Sequence, residues 1–500
     1  MLFNVLGAVL PMGINFAATP FILHGLGPDG YGLQNLVGLV IGYFTIMDMG
    51  LDIAAVTFLA EFHARGDDSA QARLLNTNLQ LYTVIGGIGL LAIALSAPLL
   101  ASSVFAIPPA LRASAVTVFR LAAIGFLANM LLSWGGSVAR GLQRYDLYNV
   151  LAMLNTAGGV GLGVVAIYRS GTVVGYVGTR IAVTCAVALA YIVVVRRLVP
   201  AIRLRLHTDR AMLRRVGGVA VYGLILRVSG FFTSGVDRTL LGVSLGTAAV
   251  AFYAVPSMVA TALLQLVTQS MSFLLPMVSE LSSTGQTGTL RTILTRSTRF
   301  VFAAGTLSFV PATILADVVL RLWVGPQVAA ASSGVFRILL AASFLSSFSI
   351  LAATVVPGLG RFRDFTIYSV GKSFLIAAAC ALLIPSAGMV GAAYGVLAGS
   401  VVDVLYTPYA LRRHLGLSLG DVLEGGLGPL ALAAGALGLV VWVAHPHVSS
   451  WLGLGTALAG GVGVFLGLGF ALKGFGAGEV QALRTLARMV LALGPAGVSR

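Results

Sequence analysis

The sequence predicts an all-α integral membrane protein of about fourteen transmembrane helices: two six-helix lobes around a central cavity, followed by two extra C-terminal helices. Three observations carry that expectation. Hydrophobic residues make up 58% of the 500 residues and charged residues only 9%. A soluble domain carries roughly 25% charged residues, so this chain cannot cover itself for water. Apolar runs of about 20 residues, enough to cross a hydrocarbon core ~30 Å thick, recur along the whole length. Finally, the chain repeats its own punctuation. Displaced by 217 residues, Phe119-Arg120 falls on Phe336-Arg337, and Gly141-Leu142 with Arg144 falls on Gly358-Leu359 with Arg361. Tyr148 meets Phe365, Gly171 meets Gly388 and Gly178 meets Gly395, while Leu26-Gly27 meets Leu245-Gly246 at a shift of 219.

The expected spans are roughly 2–23, 32–58, 75–100, 114–138, 148–168, 173–195, 218–243, 250–276, 300–320, 332–356, 365–385, 388–410, 427–444 and 451–472. All are helical, because backbone groups left unpaired in lipid are too costly. Residues 1–195 form the first lobe, 196–216 a basic linker and 217–410 the second lobe. An even number of helices per repeat gives two copies of the same hand, related by an axis along the membrane normal. Helices 13 and 14 occupy 411–472, outside the duplication. In the tail, 473–500, Val480, Leu483, Leu486, Ala487 and Val490 share one helical face beside Arg484 and Arg488, which reads as an interfacial amphipathic helix.

The net charge of +15 raises the question of nucleic acid, but its distribution answers for lipid. Of 31 Lys and Arg, three (Arg112, Arg169, Arg321) lie in expected outer loops and six within helices, leaving 22 on the inner side when both termini are cytoplasmic. That bias sets the orientation. The cluster Arg196, Arg197, Arg203, Arg205, Arg210, Arg214 and Arg215 suits anionic membrane lipids, at about 1 kcal/mol per charge near the surface. Cys185 and Cys380 are too isolated for a disulfide framework or metal site. No basic n-region precedes the first helix, which is expected to be retained.

Ionisable side chains at mid-membrane normally face a cavity or a partner, so depth sorts the candidates. At 1.5 Å per helical residue, Arg120 lies about 30 Å from cytoplasmic Arg140, and Arg337 about 36 Å from Arg361. Both belong at the outer interface, as anchors or as paired residues of an outer vestibule. Arg180 lies about 24 Å from Arg196, in the outer third. Arg227, Asp237 and Arg238 interrupt helix 7, and the ten-residue separation keeps Arg227 and Asp237 from neutralising each other directly. Lys372 and Asp403 lie about 13 Å inside their helices; either they pair or Lys372 belongs to a line of cations serving an anionic substrate. Arg227, Lys372, Arg180 and Arg238 are the candidates for an anionic headgroup. Asp48 and Asp52 are spaced to share one face of helix 2, where like charges raise a pKa and suit a proton or cation. Alternatively helix 2 ends near Asp48 and both carboxylates are solvated. With Asp237 and Asp403 they are the candidates for ion coupling.

Several motifs carry no chemistry. Gly371-Lys372-Ser373 resembles the end of a phosphate loop, but Thr366 stands where that loop needs glycine, inside an apolar helix. His445 and His447 lack a third metal ligand, and no grouping has hydrolase or metalloenzyme spacing. No cofactor, metal or ATPase motor is expected.

The turns resemble those of the polysaccharide (Wzx-type, O-antigen) flippases of the multidrug/oligosaccharidyl-lipid/polysaccharide exporter superfamily. The matching segments are LGPDGYG (Leu26–Gly32), MDMGLDIA (Met47–Ala54), GLQRYDLYN (Gly141–Asn149), DRTLLGVSLGTAAVAFYAV (Asp237–Val255), LRLWVG (Leu320–Gly325) and GLGRFRDF (Gly358–Phe365). The resemblance covers residues 1 to about 410. It implies alternating access and a polyprenyl-pyrophosphate-linked oligosaccharide moved from the inner to the outer leaflet of a bacterial cytoplasmic membrane, alongside polysaccharide polymerase and assembly proteins. It also implies that helices 13 and 14 form a groove for the lipid tail. These motifs are structural turns and transfer no substrate residue. A cation-coupled drug exporter of the same superfamily would favour an acidic cavity, and a membrane glycosyltransferase or polymerase would need a large catalytic outer loop. The longest outer loop expected is about a dozen residues, Ser102–Ala113. A purely structural membrane subunit is the remaining alternative.

Overall fold

Among the described residues, glycine and proline mark most of the turns, and the apolar stretches between them are helical. The computed structural model describes residues 2–48, 50–199, 212–213, 235–271, 273–417, 420, 427–472 and 474, with side chains from residue 10 onward. Arg227, most of the basic linker and the expected amphipathic tail lie outside the described residues. Every regular element among the described residues is helical.

Helix α1 (Leu2–Thr45) is broken at Gly27, where φ 68° and ψ 172° are conformations a side chain disfavours. Pro28 restarts the helix with its fixed φ and absent N–H. One residue thus does the work of the loop expected between spans 2–23 and 32–58. The second arm also ends early: a 3₁₀ turn (Ile46–Asp48) and left-handed Gly50 (φ 76°) precede α2 (Leu51–Ala64). The expected single span 32–58 is therefore two helices.

Helix α3 (Asp68–Leu99) is capped by Asp67, whose carboxylate accepts from the Ala70 N–H at 2.8 Å. That bond, with help from Ser69, holds the Asp67 carboxyl below its usual range. Helices α4 (Arg112–Gly141), α5 (Tyr145–Ser170) and α6 (Val173–Leu198) follow, with α4 against α3 and α6, and α5 against α6. Phe119, Phe126 and Trp134 are fully buried along α4. With α7 (residues 235–244), α8 (Thr247–Gln269) as far as Val259 and the segment Thr366–Gly399, these helices form the first of two compact units.

The second unit holds Ala260–Phe365 and Ser400–Arg500. It contains the end of α8, then α9 (Leu274–Ser283), α10 (Thr287–Ile314), α11 (Ala316–Val324), α12 (Pro326–Ser347) and α13 (Ser349–Gly358). The last turns of α14 (Phe362–Leu415), then α15 (Leu427–Ala444) and α16 (Trp451–Ala471), complete it. Leu430, Leu437 and Val441 of α15 pack with Phe465 of α16 against Leu315 and Val318, so the extra helices share a core with the α10–α11 region. At the end of α15, His445 Nε2 lies 3.1 Å from the Asp317 carboxylate, which also accepts from Arg337 at 2.9 Å.

Ten stretches among the described residues are long and apolar enough to cross a membrane, or eleven if α10 and α11, bent by 73°, make one span. Two of the ten are broken into paired arms, at Gly27 and at Gly388 (φ 58°, ψ −134°). The expected span 218–243 is described only from residue 235.

Backbone conformation repeats with the sequence. Gly27 and Gly246 have φ 68° and 85°, and Gly66 and Gly285 have 67° and 70°, each pair 219 residues apart. Gln143 and Gly360 (59° and 74°) and Gly171 and Gly388 (62° and 58°) are 217 apart. Gln143 is the one non-glycine with positive φ among the described residues, and its counterpart is a glycine.

Two of these turns meet within the first unit. Asp29, just past the α1 break, accepts from the Thr247 hydroxyl at the start of α8. A Cβ on Gly32 would lie 2.5 Å from the Thr247 carbonyl carbon, so the two backbones touch only because residue 32 is glycine. Ala106 N–H donates to Gly242 O at 3.0 Å. This seam joins α1, α7 and α8, and those helices build most of the candidate site.

Candidate anion-binding cavity

Polar residues four apart on otherwise apolar helices face one way. Asn15 and Thr19 do so on the first arm of α1, Tyr31 and Asn35 on the second, and Tyr176 and Arg180 on α6. All six line one cavity of about 390 Å³ inside the first unit, a volume typical of small-molecule sites. Gln34, Gly38, Arg238 and Met258 extend the wall.

Arg180 Nη1 donates to Tyr176 Oη at 3.4 Å and to Gln34 Oε1 at 3.5 Å, and its guanidinium lies 5.7 Å from the Tyr176 ring centroid. Both bonds use one nitrogen of a group with five N–H donors. Arg238 is a second cation in the wall, and among the described residues no carboxylate lines the cavity. Its neighbour Asp237 is turned elsewhere: 7% exposed, it accepts from Tyr253 Oη at 2.9 Å and from the Arg238 backbone N–H at 2.8 Å. Successive helical residues point about 100° apart, which separates the two charges despite their adjacency. Tyr43 Oη donates to Thr239 Oγ1 at 2.7 Å, tying α1 to α7. The result is a polar, positively charged hollow, the arrangement that takes a phosphate, sulfate or carboxylate.

Of the residues singled out by depth, the cavity brings together Arg180 and Arg238. Arg227 falls outside the described residues. Lys372 is half-buried on α14, its stem near Gly399, and is not among the residues lining this cavity. Asp403 is fully buried in the second unit and accepts from Ser346 Oγ at 2.7 Å. Asp48 and Asp52 do not share a helical face, because the chain breaks between them at Gly50. Asp48 is 2% exposed, and Asp52 lies 3.7 Å from Arg140. The alternative holds in part: the helix does end near Asp48 as expected, but Asp48 is buried and Asp52 only partly exposed. Arg120 is exposed on α4, and Arg337 is paired with Asp317.

Depth reasoning missed Asn15, Tyr31, Gln34, Asn35 and Tyr176 because it weighed charges alone. The signal was present as polar pairs four apart on one apolar helix, Asn15 with Thr19 and Tyr31 with Asn35.

Residues 1–282 match the family described as polysaccharide biosynthesis protein. A "Putative O-antigen transporter" of Shigella flexneri is 19% identical over 417 residues, which is 82% of this chain and 96% of that protein. Among solved structures, the lipid II flippase MurJ in an inward closed conformation aligns with a TM-score of 0.73 and 11% identity, over 93% of this chain and 97% of that one. An inward-facing multidrug resistance MATE family transporter of the MOP superfamily gives 0.69 and 15% identity, over 82% and 98%. At these identities the structural likeness establishes the fold. The chain is a multi-pass membrane protein with the fold of MOP-superfamily transporters, and its match over more than half its length makes it a member of the polysaccharide biosynthesis protein family.

Proposed function

We propose that this protein is a flippase that carries polyprenyl-pyrophosphate-linked oligosaccharide from the inner to the outer leaflet of a bacterial cytoplasmic membrane by alternating access, for surface polysaccharide or lipopolysaccharide synthesis. The observation that carries the reading is the cavity holding Arg180 and Arg238 with, among the described residues, no carboxylate in its wall. A pyrophosphate cannot cross ~30 Å of hydrocarbon unaided, while its prenyl tail prefers to stay there. Forked guanidinium donors replace the water that the phosphates give up. The names of the Shigella flexneri O-antigen transporter and of the lipid II flippase agree with this cargo class.

In this reading the lobes are 1–195 and 217–410, supported by the recurring left-handed turns, and both termini are cytoplasmic. Arg227 and Lys372 extend the cationic path, and Arg120 and Arg337 flank its outer mouth. Outward movement of negative charge down an inside-negative potential releases about 2.3 kcal/mol per charge per 100 mV. Asp48, Asp52, Asp237 and Asp403 are the carboxylates available to couple an ion. The protein moves its cargo without altering it, and polymerase and assembly proteins are its expected neighbours.

The test is leaflet-to-leaflet movement of a fluorescent lipid-linked sugar in proteoliposomes. Arg180→Ala with Arg238→Ala abolishes it while the protein still inserts, and Arg227→Ala or Lys372→Ala stops export of surface polysaccharide. Undiminished movement in the Arg180/Arg238 double variant refutes the cavity as the headgroup site. Full export in the other two removes them from the path.

A further inference from the structure

The cavity wall offers acceptors as well as cations, and the acceptors have no use for phosphate. Asn15 Nδ2 donates to Pro11 O at 2.8 Å, and Asn35 Nδ2 donates to Tyr31 O at 2.9 Å. A backbone carbonyl can only accept, so in both residues the NH₂ end must face the helix, which fixes the sense of each amide. Oδ1 is then the outward end of each side chain, and both residues line the cavity.

An amide oxygen accepts hydrogen bonds and carries partial negative charge. Phosphate oxygens, acceptors themselves, gain nothing from it; a hydroxyl or N–H group does. The wall therefore serves two chemistries, guanidinium donors for an anion and amide oxygens for donor groups. Tyr31 and Tyr176 supply flat apolar surface with a polar tip in the same wall. A glycosyl pyrophosphate satisfies both sets at once, whereas a bare pyrophosphate leaves both asparagines without a donor.

We propose that Asn15 and Asn35 form a sugar-reading subsite, accepting hydrogen bonds from the hydroxyl or N-acyl N–H groups of the first sugar attached to the lipid pyrophosphate. This rests on the reading of Arg180 and Arg238 as the phosphate-holding pair. The asparagines set which headgroup is held, and the arginines set that a charged headgroup is held at all.

The experiment measures binding to the full chain in nanodiscs of a polyprenyl pyrophosphate without sugar and of the same lipid bearing glucose, galactose or an N-acetylhexosamine. At about 1 kcal/mol per hydrogen bond, at least one glycosylated probe binds roughly 5- to 30-fold more tightly than the bare lipid. Asn15→Leu and Asn35→Leu bring that ratio close to one; Asn15→Ala and Asn35→Ala are the substitutes where leucine prevents folding. A preference that survives in the variants, or no preference for any glycosylated probe in the wild type, overturns the subsite. Failure of the wild type to bind bare lipid pyrophosphate, or equal binding by the Arg180→Gln/Arg238→Gln variant, overturns the phosphate reading instead. Bare-lipid affinity also controls for structural damage, since a merely misfolded cavity loses both probes together.

Discussion

Gly32→Ala is a one-methyl test of the seam that joins the α1 break to the start of α8. The added Cβ would stand 2.5 Å from the Thr247 carbonyl carbon and 3.1 Å from its Cα, where carbon contacts ordinarily begin near 3.5 Å. Both groups are backbone, and the Thr247 carbonyl oxygen is nearer still, so no rotamer change relieves the clash; the helices must part by more than about 1 Å. Overpacking of this kind costs about 1–3 kcal/mol. Parting the helices also lengthens the Asp29–Thr247 bond, a charge-assisted contact worth about 1.5–3 kcal/mol. Together the loss is roughly 3–5 kcal/mol, or about 5–10 °C in melting temperature at ~2 °C per kcal/mol for a large domain. Thermal unfolding of detergent-purified protein reads this directly. Gly13→Ala is the matched control, because nothing lies within 4 Å of a Cβ there, and replacing a helical glycine gains up to ~1 kcal/mol. Equal melting temperatures for the two variants would refute the close approach.

Two further outcomes follow from the cavity and its supports. Gly38 lines the cavity and has nothing within 4 Å of an added Cβ. Gly38→Phe should therefore block lipid-linked sugar movement in proteoliposomes while melting within a few degrees of wild type; full transport would mean that cargo passes elsewhere. Tyr253→Phe removes a donor from the buried Asp237 carboxylate and should cost about 1.5–3 kcal/mol. A double-mutant cycle with Asp237→Asn should return a coupling of about 1 kcal/mol in thermal unfolding, and zero coupling would contradict the bond.

The fold was largely legible because hydropathy marks crossings and glycine marks turns. Gly27, Gly171 and Gly388 were each visible in the sequence and each adopts positive φ in the structure. The break at Gly50 was legible only as an alternative, a helix ending near Asp48, since an isolated glycine inside an apolar run also reads as a tolerated helical residue. Gln143 was silent: its left-handed φ of 59° has no glycine to announce it, and only the repeat points to it through Gly360. At the site, charge and depth found Arg180 and Arg238, which burial makes conspicuous. They could not show that Asp237 and Arg238 diverge, because that depends on Tyr253 waiting on the next helix. The neutral amides stayed hidden for a related reason. A polar side chain in an apolar helix can satisfy itself on the carbonyl four residues back, as Asn15 and Asn35 half do, so its presence alone does not imply a cavity.

The repeat also relates residues that face the cavity. At the 219-residue shift Thr19 corresponds to Arg238 and Leu39 to Met258, and all four line the same hollow. At the 217-residue shift Arg180 corresponds to Leu397 and Tyr176 to Ala393, neither of them in that wall. The turns recur while these cavity side chains do not, and the described positive charge comes from α6 and α7. Equivalent positions facing one space should be exchangeable. Arg238→Thr alone should lower affinity for a lipid pyrophosphate about tenfold or more, the loss of one charge-assisted contact of ~1.5–3 kcal/mol. Adding Thr19→Arg restores a guanidinium at another position of the wall and should recover most of that loss. Binding as weak in the double variant as in Arg238→Thr would show that the two positions, though equivalent in sequence, do not address the same bound group.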